Sequence, residues 1–136
     1  MNGCYILVIK LNKDTFIEIG KLGEIFFKKN FYAYVGSAMN GLERRINRHL
    51  RKNKKTYWHV DYLLNCGKIK HVFYKESHKR EECDIAGKLM RKLPMIPGFG
   101  CSDCSCRSHL FYGNKETIFS NIKELKMKTY VFNETL

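Results

Sequence analysis

The first third of the chain alternates short apolar runs with polar or glycine-containing breaks, which predicts a series of β-strands. Residues 3–12 form a nearly continuous apolar run that is rich in β-branched side chains. Two shorter runs, 16–19 and 25–27, flank a glycine-containing turn and predict a hairpin. A further run at 31–36 predicts another strand, so we expect the domain to begin with antiparallel sheet.

Helical spacing replaces this pattern beyond Gly36. Leu42, Ile46 and Leu50 recur every four residues and predict a helix with one buried face. The remaining predicted elements are helices at 57–65, 77–93 and 117–125 and strands at 69–74, 110–112 and 129–132. This order indicates an α/β domain of the α+β type, in which helices flank a small, mostly antiparallel sheet.

The segment 94–100 holds both prolines of the chain and two of its ten glycines, so it is the clearest internal boundary. It separates a core at 1–93 from a cysteine-rich extension at 94–136. A chain of 136 residues that is 44% hydrophobic is typical of one globular domain and excludes a disordered chain. We therefore expect the extension to pack on the same domain.

The charge is strongly unbalanced, since 25 Lys and Arg against 13 Asp and Glu give a net charge of +12. Half of that excess comes from residues 41–57, which contain seven basic residues and one acid. On a helix, Arg45, Arg48, His49 and Lys52 project onto one face. Such a basic face suits the phosphates of a nucleic acid, and a solvated charged face is the alternative. The residues expected to contact nucleic acid, on a helix at 41–55, are Arg44, Arg48, Arg51, Lys52, Lys54 and Lys55.

Membrane insertion and secretion are both disfavoured by the sequence. No apolar run approaches the roughly 20 residues that a membrane span needs. The N-terminal apolar stretch includes Lys10 and lacks the order of a signal peptide. Six cysteines in such a chain favour reduced thiols, metal ligands or chemistry over disulfides, so we expect a cytoplasmic protein.

One glutamate is predicted to lie on the apolar face of a helix, where a carboxylate is not expected. In the helix expected after Ser77, Glu82 projects near the middle of the apolar stripe, whereas Glu81 projects to its edge. A buried carboxylate is costly unless it is paired or bound to a cation. A salt bridge to a basic residue and a site for a hard divalent cation both remain open.

The extension carries four candidate metal ligands within nine residues, namely Cys101, Cys104, Cys106 and His109. Zinc takes four such ligands in tetrahedral geometry. Structural zinc usually draws its ligands in pairs from separate loops, and Cys66 or Cys83 would contribute only if folded nearby. Zinc binding, simple packing of the thiols and redox sensing all remain open, and packing is favoured over zinc.

Several motifs occur in an order that resembles a known family. They are Gly3-Cys4-Tyr5, Tyr34-Val35-Gly36, Leu42-Glu43-Arg44-Arg45-Ile46 with His49, and Glu82-Cys83. The set resembles the GIY-YIG nuclease superfamily, and within it the Uri-type endonuclease subgroup, over about residues 3–93. The likeness to the subgroup extends to about residue 112. Cys4 stands where the first motif of the superfamily has Ile, and Ser37 stands where many members have Lys.

The resemblance implies a metal-dependent DNA endonuclease that leaves 5′-phosphate and 3′-hydroxyl ends, acting in DNA repair, recombination or processing. It implies that Tyr5 lies beside the attacking water as a general base, a role that requires a nearby cation to lower its pKa. It further implies that Tyr34 helps to position the site, Arg45 stabilises phosphate charge, Glu82 holds Mg²⁺ or Mn²⁺, and His49 joins them. RNA remains open as a partner. The alternative function is a non-catalytic nucleic-acid-binding module that uses the basic helix.

Overall fold

The apolar run near the N-terminus forms a central strand, β1 (Gly3–Leu11). The computed structural model describes residues 1–101 and 105–133. In it, β1 pairs antiparallel with β4 (Asn30–Ala38) on one side and with β5 (Lys68–Glu76) on the other. Strand β6 (Leu110–Gly113) pairs with β4, and the two-residue β7 (Lys128–Thr129) pairs with β5. The sheet order is therefore β6-β4-β1-β5-β7, which confirms the predicted α+β class with a small antiparallel sheet.

The predicted hairpin is also present, as a separate two-stranded sheet. Strands β2 (Thr15–Glu18) and β3 (Glu24–Phe27) pair antiparallel and are joined by a 3-10 turn at Gly20–Leu22. Its inner side buries Ile17 and Phe27 in the core. The hairpin lies in the chain between the two tyrosine motifs, Gly3-Cys4-Tyr5 and Tyr34-Val35-Gly36.

The sheet has a hydrophobic core on each face, which explains why β1 is a nearly continuous apolar run. Its odd-numbered residues from Tyr5 to Leu11 pack with helices α1 (Leu42–Leu50) and α2 (His59–Leu64). Its even-numbered residues, Cys4, Ile6 and Val8, pack with α3 (Glu82–Met90) and α4 (Lys115–Lys123). Burial of each large apolar side chain contributes about 1.5–3 kcal/mol, so both faces hold β1 in place.

Helix α1 differs from its prediction in length and in buried face. It ends at Leu50, so Arg51, Lys52, Lys54 and Lys55 belong to the following loop and not to a basic helix reaching residue 55. Its buried residues are Leu42, Ile46 and His49, while Leu50 is only partly buried. The projection of His49 onto the basic face was wrong, because a tyrosine on β1 supplies a hydrogen-bond partner inside the core.

The boundaries of the last two helices also differ from the predictions. Helix α3 begins at Glu82, and the Ser77 hydroxyl does not cap it but accepts the backbone N–H of Lys79. Helix α4 begins two residues earlier than predicted, because the Asn114 side chain accepts the N–H of Thr117 at 2.8 Å and caps the helix.

The described part of the extension beyond residue 93 contributes β6, α4 and β7 to the layers already named. Phe99 and Leu110 lie in the core on one face of the sheet, and Phe111 and Ile118 lie in the core on the other. None of the helices within 1–101 and 105–133 has the length and apolar character required to cross a bilayer.

Gly36 is opposite Tyr5 in the β1–β4 register, and a Cβ added at residue 36 would lie 2.5 Å from the Tyr5 ring. We expect Gly36→Ala to displace that ring and to lower the free energy of unfolding by about 1–3 kcal/mol. Urea denaturation followed by circular dichroism measures the change. Gly87→Ala in α3 is the matched control, because no described atom lies within 4 Å of its added Cβ. It should be neutral or stabilise by up to about 1 kcal/mol, and a Gly36 variant as stable as this control would contradict the packing argument.

Candidate active site

An open cavity of about 1170 Å³ lies beside the sheet and is lined by residues from both of its faces. Tyr5, Tyr34, Arg45 and Glu82 all contribute to its wall. These residues come from β1, β4, α1 and α3, so the fold brings together four positions that are far apart in the sequence. The fifth predicted site residue, His49, lies behind Tyr5 and is only 2% exposed.

The Tyr5 hydroxyl is hydrogen bonded to the Nε2 atom of His49 at 2.7 Å. Burial raises the pKa of Tyr5 well above its ordinary value. The charge of Arg45 and its hydrogen bond to Tyr5 act in the opposite direction, but they do not offset the burial. Tyr5 is therefore a neutral phenol in this structure, and its proton has one defined neighbour, the imidazole of His49.

His49 is a buried, neutral imidazole. Burial lowers its pKa to about 3; the charge of Asp61 opposes this shift, and the guanidinium groups of Arg48 and Arg45 add to it. Its Nδ1 atom is buried and has no hydrogen-bond partner among the described residues. His49 is thus connected to the cavity through the Tyr5 hydroxyl and does not itself line the cavity wall.

Tyr34 lines the cavity next to this pair. Its ring centre lies 6.5 Å from that of Tyr5 and 6.3 Å from that of His49. Burial, followed by the neighbouring Tyr5, raises the pKa of Tyr34 well above the ordinary range. On its other side it meets the ring of Phe99, whose centre is 6.1 Å away. The pair of tyrosines thus forms a rigid, neutral wall of the cavity.

Glu82 enters the cavity from the first turn of α3, and its side chain is 13% exposed. One carboxylate oxygen, Oε1, lies 3.8 Å from a guanidinium nitrogen of Arg80, which is a long and mostly exposed ion pair. The other oxygen, Oε2, is buried and has no hydrogen-bond partner among the described residues. A buried carboxylate oxygen in that state is costly unless a cation binds it.

Two arginines of α1 lie against the indole ring of Trp58. The guanidinium carbon of Arg45 is 4.5 Å from the ring centre and that of Arg48 is 4.3 Å from it. Arg45 also donates a hydrogen bond to the carbonyl of Ser37 at 3.2 Å, at the end of β4. These contacts hold the Arg45 guanidinium at the cavity wall.

A scan against models of protein families gave one match, to the family described as "Domain of unknown function DUF123", over residues 4–131. The chain belongs to the DUF123 family. Comparison with the curated proteins and with the solved structures gave no significant match. The family match covers almost the whole chain, including the segment beyond the proline-rich boundary.

Arg48 was predicted to contact nucleic acid, but in this DUF123 domain it forms an internal ion pair with Asp61. The two guanidinium nitrogens of Arg48 each lie 3.2 Å from one carboxylate oxygen of Asp61, which is 1% exposed. Asp61 also accepts the backbone N–H groups of Tyr57 and Trp58 at 2.9 Å. Burial raises the pKa of Asp61, but these hydrogen bonds outweigh it and hold the pKa below its usual range.

Other predicted basic residues remain available at the surface. Arg44 and Arg51 are exposed and line a second groove, of about 780 Å³, which runs along α1 and shares Arg45 with the main cavity. Lys52 and Lys55 are exposed in the loop that follows α1. Lys54 instead bends back to the chain and donates to the carbonyl groups of His49 and Arg51.

Sequence reasoning missed several side chains of the cavity, among them Trp58, His59 and Arg80. His59 accepts the backbone N–H of Gly100 at Nδ1, at 2.8 Å, so its Nε2 atom carries the proton when the ring is neutral. Burial lowers the pKa of His59 and favours that neutral form. No spacing rule in the sequence marks these positions as part of a cavity.

The four predicted zinc ligands do not form one group within the described residues. Cys104 lies outside the described residues, and Cys101 donates a weak hydrogen bond from its sulfur to the carbonyl of Phe99 at 3.4 Å. Cys106 and His109 instead approach Cys83 of α3.

The Arg48–Asp61 pair leads to a prediction on stability. We expect Asp61→Asn to lower the free energy of unfolding at pH 7 by about 2–3 kcal/mol, because Arg48 loses a buried partner. The pKa of Asp61 is depressed in the folded state, so its contribution is present above the unfolded pKa of about 4 and declines as the pH falls through the folded value. The difference between wild type and Asp61→Asn in urea denaturation should therefore shrink in acid.

The matched control is Glu124→Gln, which removes the exposed ion pair of Glu124 with Lys92. It should cost at most about 1 kcal/mol. An Asp61 variant with a loss no larger than this control, or a loss that grows in acid, would argue against the buried pair as a support of the site.

Proposed function

We propose that this DUF123 protein is a metal-dependent endonuclease that hydrolyses phosphodiester bonds in DNA. The observation that carries the proposal is the buried, unpartnered carboxylate oxygen of Glu82 in the same cavity as the Tyr5 hydroxyl and the Arg45 guanidinium. Phosphodiester hydrolysis requires a positioned water, stabilisation of charge on the phosphate and a site for a divalent cation. The cavity wall offers one residue for each of these requirements.

Glu82 is the residue that would hold Mg²⁺ or Mn²⁺, since hard divalent cations prefer carboxylate oxygen and one such oxygen has no other described partner. When bound, the metal supplies a Lewis acid that stabilises the charge on the phosphate and on the leaving oxygen. The ion pair of Glu82 with the largely exposed Arg80 is long, at 3.8 Å, and is easily exchanged for a cation.

Tyr5 holds the attacking water in this proposal, and His49 orients Tyr5 by accepting the hydrogen bond of its hydroxyl. As the water oxygen bonds to phosphorus, the proton of the water passes to solvent in the open cavity. The bond from phosphorus to the 3′ oxygen breaks, and that oxygen takes a proton from solvent, which leaves 5′-phosphate and 3′-hydroxyl ends. The proton of Tyr5 stays in place, because burial raises the pKa of Tyr5 and lowers that of His49 to about 3.

Arg45 binds the non-bridging phosphate oxygens in this proposal. Its guanidinium carries a permanent positive charge and is braced by Trp58 and by the carbonyl of Ser37. It lies on both the main cavity and the groove along α1, so a polyanion that follows the groove would reach the cavity at Arg45.

The resemblance of the ordered tyrosine, arginine and glutamate motifs to the GIY-YIG superfamily supports the same activity. It favours DNA as the substrate and a role in repair, recombination or processing. A second candidate function is a non-catalytic module that binds nucleic acid. The exposed side chains of Arg44, Arg51, Lys52 and Lys55 support it, because they line or adjoin the groove on α1 without entering the cavity.

The proposed role of Glu82 is tested with its neighbour as the control. In Mg²⁺ or Mn²⁺, wild-type protein is expected to nick one or more of single-stranded, duplex, flap and branched DNA, and EDTA should stop the reaction. Glu82→Gln should lower cleavage at least about 100-fold and leave DNA binding intact. Glu81→Gln should retain activity, because Glu81 pairs with Lys75 at 3.1 Å and does not line the cavity.

Full cleavage by the Glu82→Gln protein would remove the metal assignment. If wild-type protein binds DNA but cleaves none of these substrates, nor RNA, the binding module is the correct function.

The exposed lysines of the loop after α1 are expected to bind the phosphate backbone. Replacing Lys52 and Lys55 together by Gln should weaken DNA binding and reduce the dependence of log Kd on log salt by about 2, because two phosphate contacts are lost. Fluorescence anisotropy over a range of salt concentrations measures both effects. Replacing Lys115 and Lys123 of α4, which packs on the opposite face of the sheet, is the matched control. Equal effects from the two double variants would mean that the binding surface is not beside α1.

A further inference from the structure

Three metal-ligating side chains meet at the edge of the cavity, outside the set proposed for hydrolysis. Cys83 lies in the first turn of α3, and Cys106 and His109 lie in the segment before β6. Their ligand atoms all lie within 4.8 Å of one another. The Cys83 sulfur is 3.8 Å from His109 Nε2. The group therefore joins two elements that are more than twenty residues apart.

The separations suit a zinc ion. Zinc binds sulfur at about 2.3 Å and imidazole nitrogen at about 2.0–2.1 Å, so a tetrahedral site holds neighbouring ligand atoms roughly 3.6–3.8 Å apart. The pair Cys83–His109 already meets this value. None of the three separations is greater than 4.8 Å, so none exceeds this value by more than about 1 Å, which rotation of a cysteine side chain can provide.

The backbone around His109 is held firmly in place. Its N–H donates to the carbonyl of Phe99 at 2.8 Å, and its carbonyl accepts the N–H of Val35 at 2.9 Å. The hydroxyl of the adjacent Ser108 donates to the carbonyl of Ile96 and accepts the N–H of Leu110. The His109 side chain is 5% exposed, so its ring is fixed by its surroundings before any metal binds.

We propose that Cys83, Cys106 and His109 bind a Zn²⁺ ion that fastens the start of α3 to the segment before β6. Two thiolates and one imidazole form a soft ligand set that selects zinc, whereas the carboxylate of Glu82 suits Mg²⁺ or Mn²⁺. Three protein ligands leave the fourth position of zinc to a water molecule, which is the coordination of catalytic zinc sites in other proteins, whereas structural sites usually have four protein ligands. The role proposed for this ion is nevertheless to fasten two segments, because a separate set of residues is proposed for hydrolysis.

A zinc ion bound at Cys83 would also fix the position of Glu82. Cys83 follows Glu82 directly, so a metal bound at Cys83 fixes the first turn of α3 against a segment hydrogen bonded to β4. The zinc ion, together with the peptide bond between Glu82 and Cys83, then holds the carboxylate of Glu82 in the cavity. Structural zinc usually draws its ligands from two separate segments of the chain. Cys83 supplies the second segment, because Cys101, Cys104, Cys106 and His109 all lie close together in the sequence.

The test is the zinc content of the full-length protein, purified under reducing conditions, loaded with excess zinc and dialysed. Wild-type protein should retain about one zinc per chain, and Cys83→Ser and His109→Ala should fall below about 0.2. Cys101→Ser and Cys66→Ser are the matched controls and should retain zinc, because Cys101 bonds to a backbone carbonyl and Cys66 is exposed after α2. Circular dichroism reports whether each variant folds.

Cobalt replacement provides a measurement that does not depend on the variants folding. Co²⁺ added to reduced wild-type protein should give the near-ultraviolet charge-transfer absorption of cobalt bound to thiolate, and zinc should displace it. A zinc-free wild-type protein without this absorption would overturn the proposal. So would zinc retained by a folded Cys83→Ser protein, or a disulfide between Cys83 and Cys106 in the protein isolated without reductant.

Zinc content is measured independently of nuclease activity. A failure of the zinc proposal can therefore be distinguished from a failure of the proposed nuclease function. Glu82→Gln should retain zinc while losing cleavage. Loss of zinc from folded Glu82→Gln would mean that Glu82 and Cys83 serve one metal, and it would overturn the assignment of two distinct sites.

Discussion

The ring of Tyr5 occupies the space in which a side chain at position 36 would lie, and the candidate site depends on this contact. The β1–β4 register sets Tyr5 opposite Gly36, and the absent side chain leaves space for the Tyr5 ring next to β4. The hydroxyl then reaches His49 in α1, and Tyr34 of β4 lies on the same face of the sheet as Tyr5. A shift of one residue in that register would turn Tyr5 towards α3 and α4 and would leave His49 buried without its partner.

The high positive charge of the chain overstates how much charge is free to bind a polyanion. Arg48 is committed to Asp61, and the Lys54 ammonium bonds to backbone carbonyl groups. Arg45 is braced against Trp58 at the cavity wall. Of the seven basic residues at 41–57, this leaves four exposed, namely Arg44, Arg51, Lys52 and Lys55. The basic residues of this segment therefore differ in position. Arg48 and Lys54 form internal contacts, Arg45 lines the cavity, and the other four face solvent.

The sequence predicts the elements of this fold well where burial is periodic. The run at 3–12 and the hairpin were found because apolar residues and turn glycines alternate there, and Glu82 was found because a carboxylate interrupts an apolar stripe. The position of His49 was predicted wrongly, since an imidazole can lie on either face of a helix and only a partner such as Tyr5 decides which. Helix ends were also misplaced, because Ser77 and Asn114 are both capping residues and local hydrogen bonds select between them.

Sequence patterns could not predict contacts between segments that are distant in the chain. The approach of Cys83 to Cys106 and His109, and of Gly100 to His59, depends on how strand β6 joins the edge of β4. Each of those residues, taken alone, carries no spacing that marks its partner. The cysteine spacing at 101–109 therefore suggested a local metal site, whereas the fold brings Cys83, from a helix earlier in the chain, close to Cys106 and His109.

The order of the strands in the chain determines when the site forms during protein synthesis. The central strand β1 leaves the ribosome first, yet its second neighbour, β5, begins at Lys68, and the outer edge of β4 is covered only when residues 110–113 have emerged. Until then, β4 presents an unpaired edge, and Val35 lacks the His109 carbonyl that its N–H group bonds in the folded protein. A nascent chain that ends before residue 110 thus holds the tyrosines, arginine and glutamate of the cavity without its far wall. Any catalysis by this cavity begins only after the segment beyond the proline-containing boundary has joined the sheet.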